Sequence, residues 1–264
     1  MKTKKILFAI IICIFSISCG IIDNNGNQSS ITKLYVTMQQ TEEVAIYSTP
    51  DLTLLKTIYF DFTNQDFPHF IVLDEVNGYW FVTIMERGWV AQYSLITDEL
   101  IDTVYVGDFP ALMTVNPDEK KLYVSRMMNK ADTYIINEID YSGNSLTSSD
   151  IHLSSPILHA ITMDYANENL FTASNVTDWI YRINVNGDEA LLGLNMDKTN
   201  ENPDPTTPWK KYQPIQCIAI NDSLIAITCS AMMDNVNGQV QIWNGNSLSW
   251  VSTYEFSSNS RPWH

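Results

Sequence analysis

An all-β fold made of repeated four-stranded sheets is predicted by three features of this 264-residue sequence. Its prolines recur at spacings of 42, 46, 58 and 48 residues, at Pro68, Pro110, Pro156, Pro214 and Pro262. Alternating apolar segments rich in β-branched and aromatic residues follow the first four prolines, and Asn-Gly pairs typical of hairpin turns occur at 77–78, 186–187 and 237–238. No segment beyond the N-terminus has helical periodicity. Four antiparallel strands per unit, repeated about every 40 to 50 residues, are typical of a β-propeller.

Each unit is predicted to contain four consecutive strands. The first strands are expected in "HFIVLDEV", "ALMTVNPD", "LHAITMDY" and "IQCIAIND", and the second strands in "YWFVTIM", "KLYVSRMM", "NLFTASNV" and "LIAITCSA". Third strands follow in "WVAQYSLIT", "DTYIINEIDYS", "DWIYRINVNGD" and "QVQIWNGNS", and weaker fourth strands in segments such as "LIDTVYVG" and "SWVSTYEFS". Because one blade cannot bury both of its faces, we expect the blades to stack around an axis.

The unit "VGDFPALMTVNPDEKKLYVSRMM" resembles the YVTN family of β-propeller repeats, which is found in secreted and surface proteins of bacteria and archaea. The matching residues are Val106, Gly107, Pro110, the turn at 115–118 and the segment 122–125, and "KLYVT" at 33–37 is a second match. The resemblance covers nearly all of residues 33–264, although only the unit at Pro110 is close to the repeat consensus. It implies a propeller built from four-stranded blades.

We expect residues 32–264 to form four complete blades and one three-stranded N-terminal blade. The N-terminal unit begins at a second strand, "KLYVT", with no first strand before it, and "SRPWH" is a turn that would open a further strand. These features predict an incomplete ring, whose unpaired edges would favour aggregation. A five-bladed ring with one three-stranded blade is the alternative.

The first 19 residues predict a bacterial lipoprotein signal peptide. Three lysines precede an apolar run over 6–15 that is too short to span a membrane, and "SISC" stands in the place of the lipobox, with Ser16 where an aliphatic residue is usual. Cys19 would then be lipidated, and residues 20–31 would form a flexible tether. Gly20 after the cysteine favours, by resemblance, an exported outer-membrane lipoprotein that faces the periplasm or the cell surface. An ordinary secretory signal is the alternative.

The charge of the chain excludes two classes of partner. Removal of the signal leaves 12 basic and 30 acidic residues, a net charge of −18. Nucleic acids and anionic membrane surfaces both require a cationic face, so we expect neither as a partner and membrane contact only through the N-terminal lipid. The remaining chain is long enough for one large domain with a sizeable core.

Two cysteines, Cys217 and Cys229, remain outside the signal and flank a predicted hairpin in "QCIAINDSLIAITCS". In an oxidising periplasm they could form a disulfide across the strands, and two buried free thiols are an equally good interpretation. A metal or redox role is not favoured, because no C-x-x-C motif or adjacent histidine completes a site.

One face of the predicted propeller carries the connections between second and third strands and those between successive blades. It would also carry the insertion 195–212, and long loops on a rigid scaffold are where binding usually resides. The candidate binding residues on this face are His69, Arg87, Trp89, Arg126, His159, Trp179, Trp209, Trp263 and His264. Each also has a structural interpretation, since turn histidines hydrogen-bond backbone and indoles pack between blades.

The sequence favours a binding protein over an enzyme. We assign no catalytic residue, because the G-x-S-x-G, H-E-x-x-H, C-x-x-C-H and phosphate-loop motifs are all missing. The favoured function is a lipid-anchored module that binds a protein, peptide or glycan and needs no cofactor. One alternative is a lactonase-like hydrolase with His69, His159 and Arg126 at the channel mouth. The other is a metal- or haem-associated redox propeller, in which copper would use methionine and histidine and calcium would use Asp197, Glu201 and Asp204.

Overall fold

The described residues form five antiparallel sheets. A computed structural model describes residues 17–22, 28–60, 66–107, 109–127, 134–185, 192–196, 204–209, 211–231, 236–257 and 260–262. Within these ranges the strands are joined by turns and by one 3-10 turn at Gln39–Thr41. No helix among the described residues is long and apolar enough to cross a membrane.

Each sheet contains four strands that pair in chain order, and we number the sheets as blades I to V. Blade I comprises β1 (Ile17–Ile22), β2 (Gln28–Met38), β3 (Glu43–Thr49) and β4 (Leu54–Tyr59). Blade II comprises β5 (Pro68–Asp74), β6 (Tyr79–Ile84), β7 (Trp89–Ser94) and β8 (Leu100–Tyr105). Blade III comprises β9 (Pro110–Asn116), β10 (Lys121–Arg126), β11 (Ile135–Asp140) and β12 (Thr147–His152). Blade IV comprises β13 (Leu158–Met163), β14 (Asn169–Ser174), β15 (Trp179–Asn184) and β16 (Leu192–Asn195). Blade V comprises β17 (Pro214–Asn221), β18 (Leu224–Cys229), β19 (Gln239–Asn244) and β20 (Ser249–Glu255).

The blades follow one another in chain order around the first strands. β5 lies beside β9, β9 beside β13, and β13 beside β17, while β2 of blade I contacts β5. Sequential four-stranded antiparallel sheets with neighbouring first strands are the architecture of a β-propeller. The predicted fold class is therefore confirmed.

Blade I differs from the expectation in its first strand. The three predicted strands correspond to β2, β3 and β4, and the structure adds β1, which pairs with β2 from Ile17 opposite Lys33 to Ile22 opposite Gln28. Residues 17–19 come from the predicted signal, and residues 20–22 and 28–31 of the predicted tether lie in β1 and β2. The physical reason is that the edge of β2 would otherwise present unpaired backbone groups.

The feature that repeats at the start of blades II to V is a left-handed residue rather than a proline. Phe67, Phe109, Ile157 and Gln213 have φ values of 49°, 52°, 49° and 49° and immediately precede β5, β9, β13 and β17. The carbonyl of each accepts a backbone hydrogen bond from the end of the second strand, as in Met85 N–H to Phe67 at 3.1 Å. Such a conformation is uncommon outside glycine. In blade IV it places the first strand at Leu158, two residues after Pro156.

The core lies between the faces of successive blades. We call the face of a blade that packs on the next blade its leading face, and the opposite face its trailing face. Between blades I and II, Tyr35 on the leading face of blade I packs on Trp80 on the trailing face of blade II, with ring centroids 5.1 Å apart. Trp80 is fully buried and stacks on Tyr93 at 4.1 Å. Aromatic packing of this kind joins the two blades.

Hydrogen bonds between blades reinforce this core at the end of the molecule that carries the first-to-second and third-to-fourth strand turns. Lys33 of blade I forms a buried ion pair with Asp98 of blade II at 2.7 Å. The hydroxyl of Tyr141 in blade III donates to Asp74 of blade II at 2.7 Å. Burial, together with this bond and the negative charge of Asp74, raises the pKa of Tyr141 well above its usual value.

Candidate functional site

The connections predicted to share one end of the propeller hydrogen-bond to one another. The N–H of Val106, in the connection from blade II to blade III, donates to Gly88, which lies in the second-to-third connection of blade II, at 2.8 Å. In blade IV, the N–H of Trp209 from the insertion donates to Val176 at 2.7 Å. We call this end of the molecule the loop face.

The crossing at Gly88 requires glycine. Its φ is +70°, and a Cβ atom there would lie 2.4 Å from the carbonyl oxygen of Gly107. Two backbone segments can approach this closely only where one of them has no side chain. This contact holds the two connections of blade II together at the loop face.

Two of the candidate histidines occupy the same position in different blades. The pairing of β5 with β6 shifts between Pro68 and Ile71, and that of β13 with β14 shifts between Leu158 and Ala160. His69 and His159 lie in these bulges, and both are buried. In blade II the bulge is held by Thr83, whose hydroxyl accepts from the N–H of Phe70 at 3.0 Å. Bulges redirect side chains, and here they direct both imidazoles toward neighbouring blades.

The two histidines join blades through opposite ring tautomers. Nδ1 of His69 lies 2.6 Å from Nε2 of Gln39 in blade I, so the amide donates and Nδ1 accepts. Nδ1 of His159 lies 2.6 Å from the carbonyl oxygen of Ile215 in blade V, so here Nδ1 carries the proton and donates. Both rings therefore make contacts that hold blades together.

The two candidate arginines lie in different environments. Arg126 is buried, and its guanidinium donates to the carbonyl of Val106 where blades II and III meet. The side chain of Arg87 is 31% exposed, and its Nε lies 3.8 Å from the carboxylate of buried Asp66. Of the two, Arg87 is the one that reaches the surface of the loop face.

Trp89 and Trp179 are equivalent residues, each the first residue of a third strand, and both are half-buried. Trp89 packs edge-on to Tyr105 with centroids 6.0 Å apart, and Trp179 lies 6.3 Å from Tyr181. The half-buried Trp209 reaches the same face of blade IV through its bond to Val176. The candidates Trp263 and His264 lie outside the described residues.

The described part of the insertion is attached to blade IV by a buried hydroxyl cluster. The hydroxyl of Ser155 donates to the carbonyl of Pro205 at 2.8 Å and receives a bond from Thr177 at 3.0 Å. The hydroxyls of Ser155 and Tyr181 are 2.6 Å apart, and burial raises the pKa of Tyr181 to about 12. All of these groups are neutral at physiological pH, so the attachment does not depend on ionisation.

Of the three carboxylates that could hold calcium, only Asp204 lies among the described residues. Asp204 accepts hydrogen bonds from the backbone N–H and the hydroxyl of Thr206 and from the hydroxyl of Thr207. These bonds lower the pKa of Asp204, and the bond from the backbone N–H of Thr206 has the largest effect. Asp197 and Glu201 lie outside the described ranges. No group of three or more His, Cys, Asp or Glu side chains gathers in the part of the chain that the structure describes.

Cys217 and Cys229 are both free thiols, which is the second of the two alternatives that the sequence left open. In the hairpin Cys217 lies opposite Ile227, and Cys229 lies opposite Pro214, so the two cysteines are not a directly opposed pair. Burial raises the pKa of both thiols. Thiols protonated in this way are poor nucleophiles.

Two residues that build the loop face, Asp178 and Gln39, were not among the candidate binding residues. Asp178 is buried, and its carboxylate accepts from the N–H groups of Tyr212 and Gln213, both at 2.8 Å, which positions the start of blade V. Gln39 was also missed, although a sequence signal existed. It follows "KLYVTM" at the repeat position of Met85 and Met127, so it is a polar residue where blades II and III carry methionine, and blades IV and V have Asn175 and Ser230 at this position.

Comparisons with known proteins support the fold and nothing finer. No family model matches the chain, so the YVTN resemblance stays a prediction, and no curated protein matches it. Among solved structures, hydrazine synthase from Kuenenia stuttgartiensis aligns with a TM-score of 0.60 and 15% identity over 77% of this chain and 54% of that one. A hypothetical selenium-binding protein from Sulfolobus tokodaii aligns with a TM-score of 0.66 and 10% identity over 89% of this chain and 69% of that one. A functionally unknown protein from Desulfotomaculum acetoxidans aligns with a TM-score of 0.64 and 13% identity over 88% of this chain and 69% of that one. The chain thus spans about half the length of the hydrazine synthase chain.

Proposed function

We propose that this β-propeller is a lipid-anchored protein of the bacterial cell envelope that binds a protein, peptide or glycan through its loop face. The observation that carries the binding proposal is that three half-buried tryptophans lie on this face, Trp89 in blade II and Trp179 and Trp209 at blade IV. The exposed part of an indole ring offers a rigid apolar surface, and tryptophan is enriched where proteins bind partners.

The anchoring proposal rests on the sequence. Lys2, Lys4 and Lys5, the apolar run 6–15 and "SISC" have the order of a lipoprotein signal, with Cys19 as the acylated residue. We further propose an outer-membrane location, because Gly20 follows the cysteine.

The positions of the candidate polar residues favour binding over hydrolysis. A lactonase-like site would use His69, His159 and Arg126 together. Blade III, which carries Ala111 at the equivalent position, lies between the blades of the two histidines. The described contacts of both histidines and of Arg126 join neighbouring blades. These contacts stabilise the packing of the blades.

Acylation is tested by expressing the full chain in a bacterium fed radiolabelled palmitate. We expect label in the wild-type protein and its loss in Cys19→Ser, with Cys13→Ser as the matched control that keeps the label. An unlabelled wild-type protein found free in the periplasm would support the ordinary secretory signal instead. That result would leave the binding proposal intact.

Ligand binding is tested by surface plasmon resonance against a panel of envelope oligosaccharides and peptidoglycan peptides. We expect Trp179→Ala to weaken binding of any retained member by about 2 kcal/mol, roughly 30-fold, as for a buried aromatic at the centre of an interface. Trp250→Ala is the control, because Trp250 is 39% exposed on the outer strand β20, near the turn that begins at Gly245. Equal losses in both variants, or turnover of a lactone panel that His159→Ala abolishes, would overturn the binding proposal.

A further inference from the structure

The paired strands β1 and β2 extend past blade I at the end of the molecule opposite the loop face. β3 pairs with β2 from Thr32 to Met38, whereas β1 pairs with it from Gln28 to Lys33. In blade II, by contrast, β5 and β7 both pair along the whole of β6. Because β2 runs toward the loop face, residues 28–31 lie beyond the other end of the blade. We call that end the turn end, since it carries the turns between first and second and between third and fourth strands, among them 50–53, 75–78, 95–99 and 164–168.

Cys19 lies close to the turn end. Its partner in the pairing of β1 with β2 is Ile31, and β2 pairs with β3 from the next residue, Thr32, onward. At a rise of about 3.3 Å per residue, Cys19 is therefore within about 7 Å of the level of Lys33 along the strand. Cleavage before Cys19 would leave residues 19–22 paired with β2. An acyl chain on Cys19 would thus be joined to blade I by a paired strand.

Exposed apolar side chains occupy turns at the same end. They belong to blades I, II and IV and are between 58% and 77% exposed: Leu52, Val76, Ile96 and Tyr165. In the described connections of the loop face, no large apolar side chain is exposed to this extent. Apolar side chains bind the boundary between lipid and water, and tyrosine is enriched there. The two ends of the propeller therefore differ in the chemistry that a membrane would meet.

Acidic residues at the turn end indicate which lipids it accepts. Asp51 and Glu75 are exposed and directly precede two of the apolar residues, Leu52 and Val76. Anionic headgroups would repel these carboxylates, so the turn end is suited to zwitterionic lipids.

We propose that the turn end lies on the membrane that holds the Cys19 lipid, with its apolar turn residues at a zwitterionic lipid surface and the loop face directed away. This proposal rests on the acylation of Cys19 proposed above. Acyl chains bury their methylene groups in the hydrocarbon, which holds the attached cysteine at headgroup level. The short distance along β2 brings the turn end to the same level. The loop face then remains open to its ligand.

The test compares two positions at opposite ends of β6. Val76 is 77% exposed in a turn of the turn end, and Glu86 is exposed in the connection that follows β6 at the loop face. Lipidated, full-length Val76→Cys and Glu86→Cys are each labelled with a thiol-reactive fluorophore and reconstituted on phosphatidylcholine vesicles that contain a headgroup-level spin-labelled lipid as quencher. The six residues of β6 separate the two positions by about 20 Å. We expect the label at residue 76 to lose most of its fluorescence and the label at residue 86 to keep it.

Two controls make the comparison specific. Wild-type protein, in which Cys217 and Cys229 are buried, measures background labelling. Replacing phosphatidylcholine with anionic phosphatidylglycerol should weaken the quenching at residue 76, and stronger quenching would overturn the preference for zwitterionic lipids.

Incorporation of radiolabelled palmitate, measured on the same preparations, separates the orientation from the acylation on which it rests. In a protein that carries palmitate, equal quenching at the two positions, quenching at residue 86 alone, or quenching at neither would overturn the orientation and leave the anchoring proposal intact. A protein without palmitate would overturn both proposals.

Discussion

Replacing Lys33 with methionine is expected to destabilise the propeller by about 3–5 kcal/mol, the cost of breaking a buried ion pair. The side chains of Lys33 and Asp98 are only 6% and 9% exposed, and the ammonium also donates to the carbonyl of Leu95 at 2.9 Å. Methionine keeps the volume of the stem but leaves the carboxylate of Asp98 with the hydroxyl of Tyr35, at 2.8 Å, as its remaining side-chain donor in this network. The midpoint of thermal unfolding should fall by about 10 °C.

The matched control is Lys56→Met, which breaks an exposed ion pair between the same two blades. Lys56 and Glu99 are 34% and 74% exposed, so this change should cost less than about 1 kcal/mol. Adding Asp98→Asn to Lys33→Met removes the uncompensated charge while retaining an acceptor for Tyr35. We expect the double variant to be more stable than Lys33→Met alone. Losses that simply add would show that charge burial is not the cause.

The strand order of the propeller could be predicted because its signals are local. Pro68, Pro110 and Pro214 each begin a first strand, as the repeat indicated. Alternation of apolar residues and Asn-Gly turns depend only on neighbours in sequence, so they can be recognised without the tertiary structure. In blade IV the first strand begins at Leu158, where "LHAITMDY" predicted it, two residues after Pro156, because the left-handed residue before the strand is Ile157.

The roles of the site residues could not be predicted, because they depend on which blade a side chain faces. His69 and His159 are indistinguishable from exposed turn histidines in sequence, and only the bulges in β5 and β13 bring them against Gln39 and Ile215. The role of Asp178 could not be predicted either, because its partners Tyr212 and Gln213 follow a long insertion in the sequence. The pairing of β1 with β2 also had no local signal, because its residues match a signal peptide.

The two ends of the molecule differ in how their polar groups are used. At the end opposite the loop face, charged and aromatic side chains such as Lys33, Asp98, Asp74 and Tyr141 are engaged with the neighbouring blade. At the loop face, Trp89, Trp179 and Arg87 retain exposed surface over a layer of buried interblade bonds. A rigid base beneath half-exposed aromatic residues lowers the entropy lost on binding, which favours the loop face as the ligand site.

Trp80→Ala tests how far the aromatic layer between blades I and II supports this rigidity. Trp80 is fully buried, stacks on Tyr93 at an interplanar angle of 12° and packs on Tyr35. Removing a buried indole costs the transfer free energy of the ring and leaves a cavity, so we expect a loss of about 3–5 kcal/mol in urea unfolding. Trp250→Ala on the partly exposed outer strand should stay within about 0.5 kcal/mol of the wild type.

The same pair of variants separates two models of the propeller's stability. If each blade is stabilised chiefly by its own hydrogen bonds, Trp80→Ala will lower the midpoint of a single transition only slightly. If contacts between blades dominate, as expected where repeats stack on their neighbours, the variant will lose several kcal/mol, and blade I will separate in an earlier transition. Tyr93 fluorescence does not resolve this in a protein with other tryptophans, so amide hydrogen exchange in β2 and β3 is the measurement. Faster exchange there than in β18 and β19 would show that blade I depends on Trp80 for its attachment.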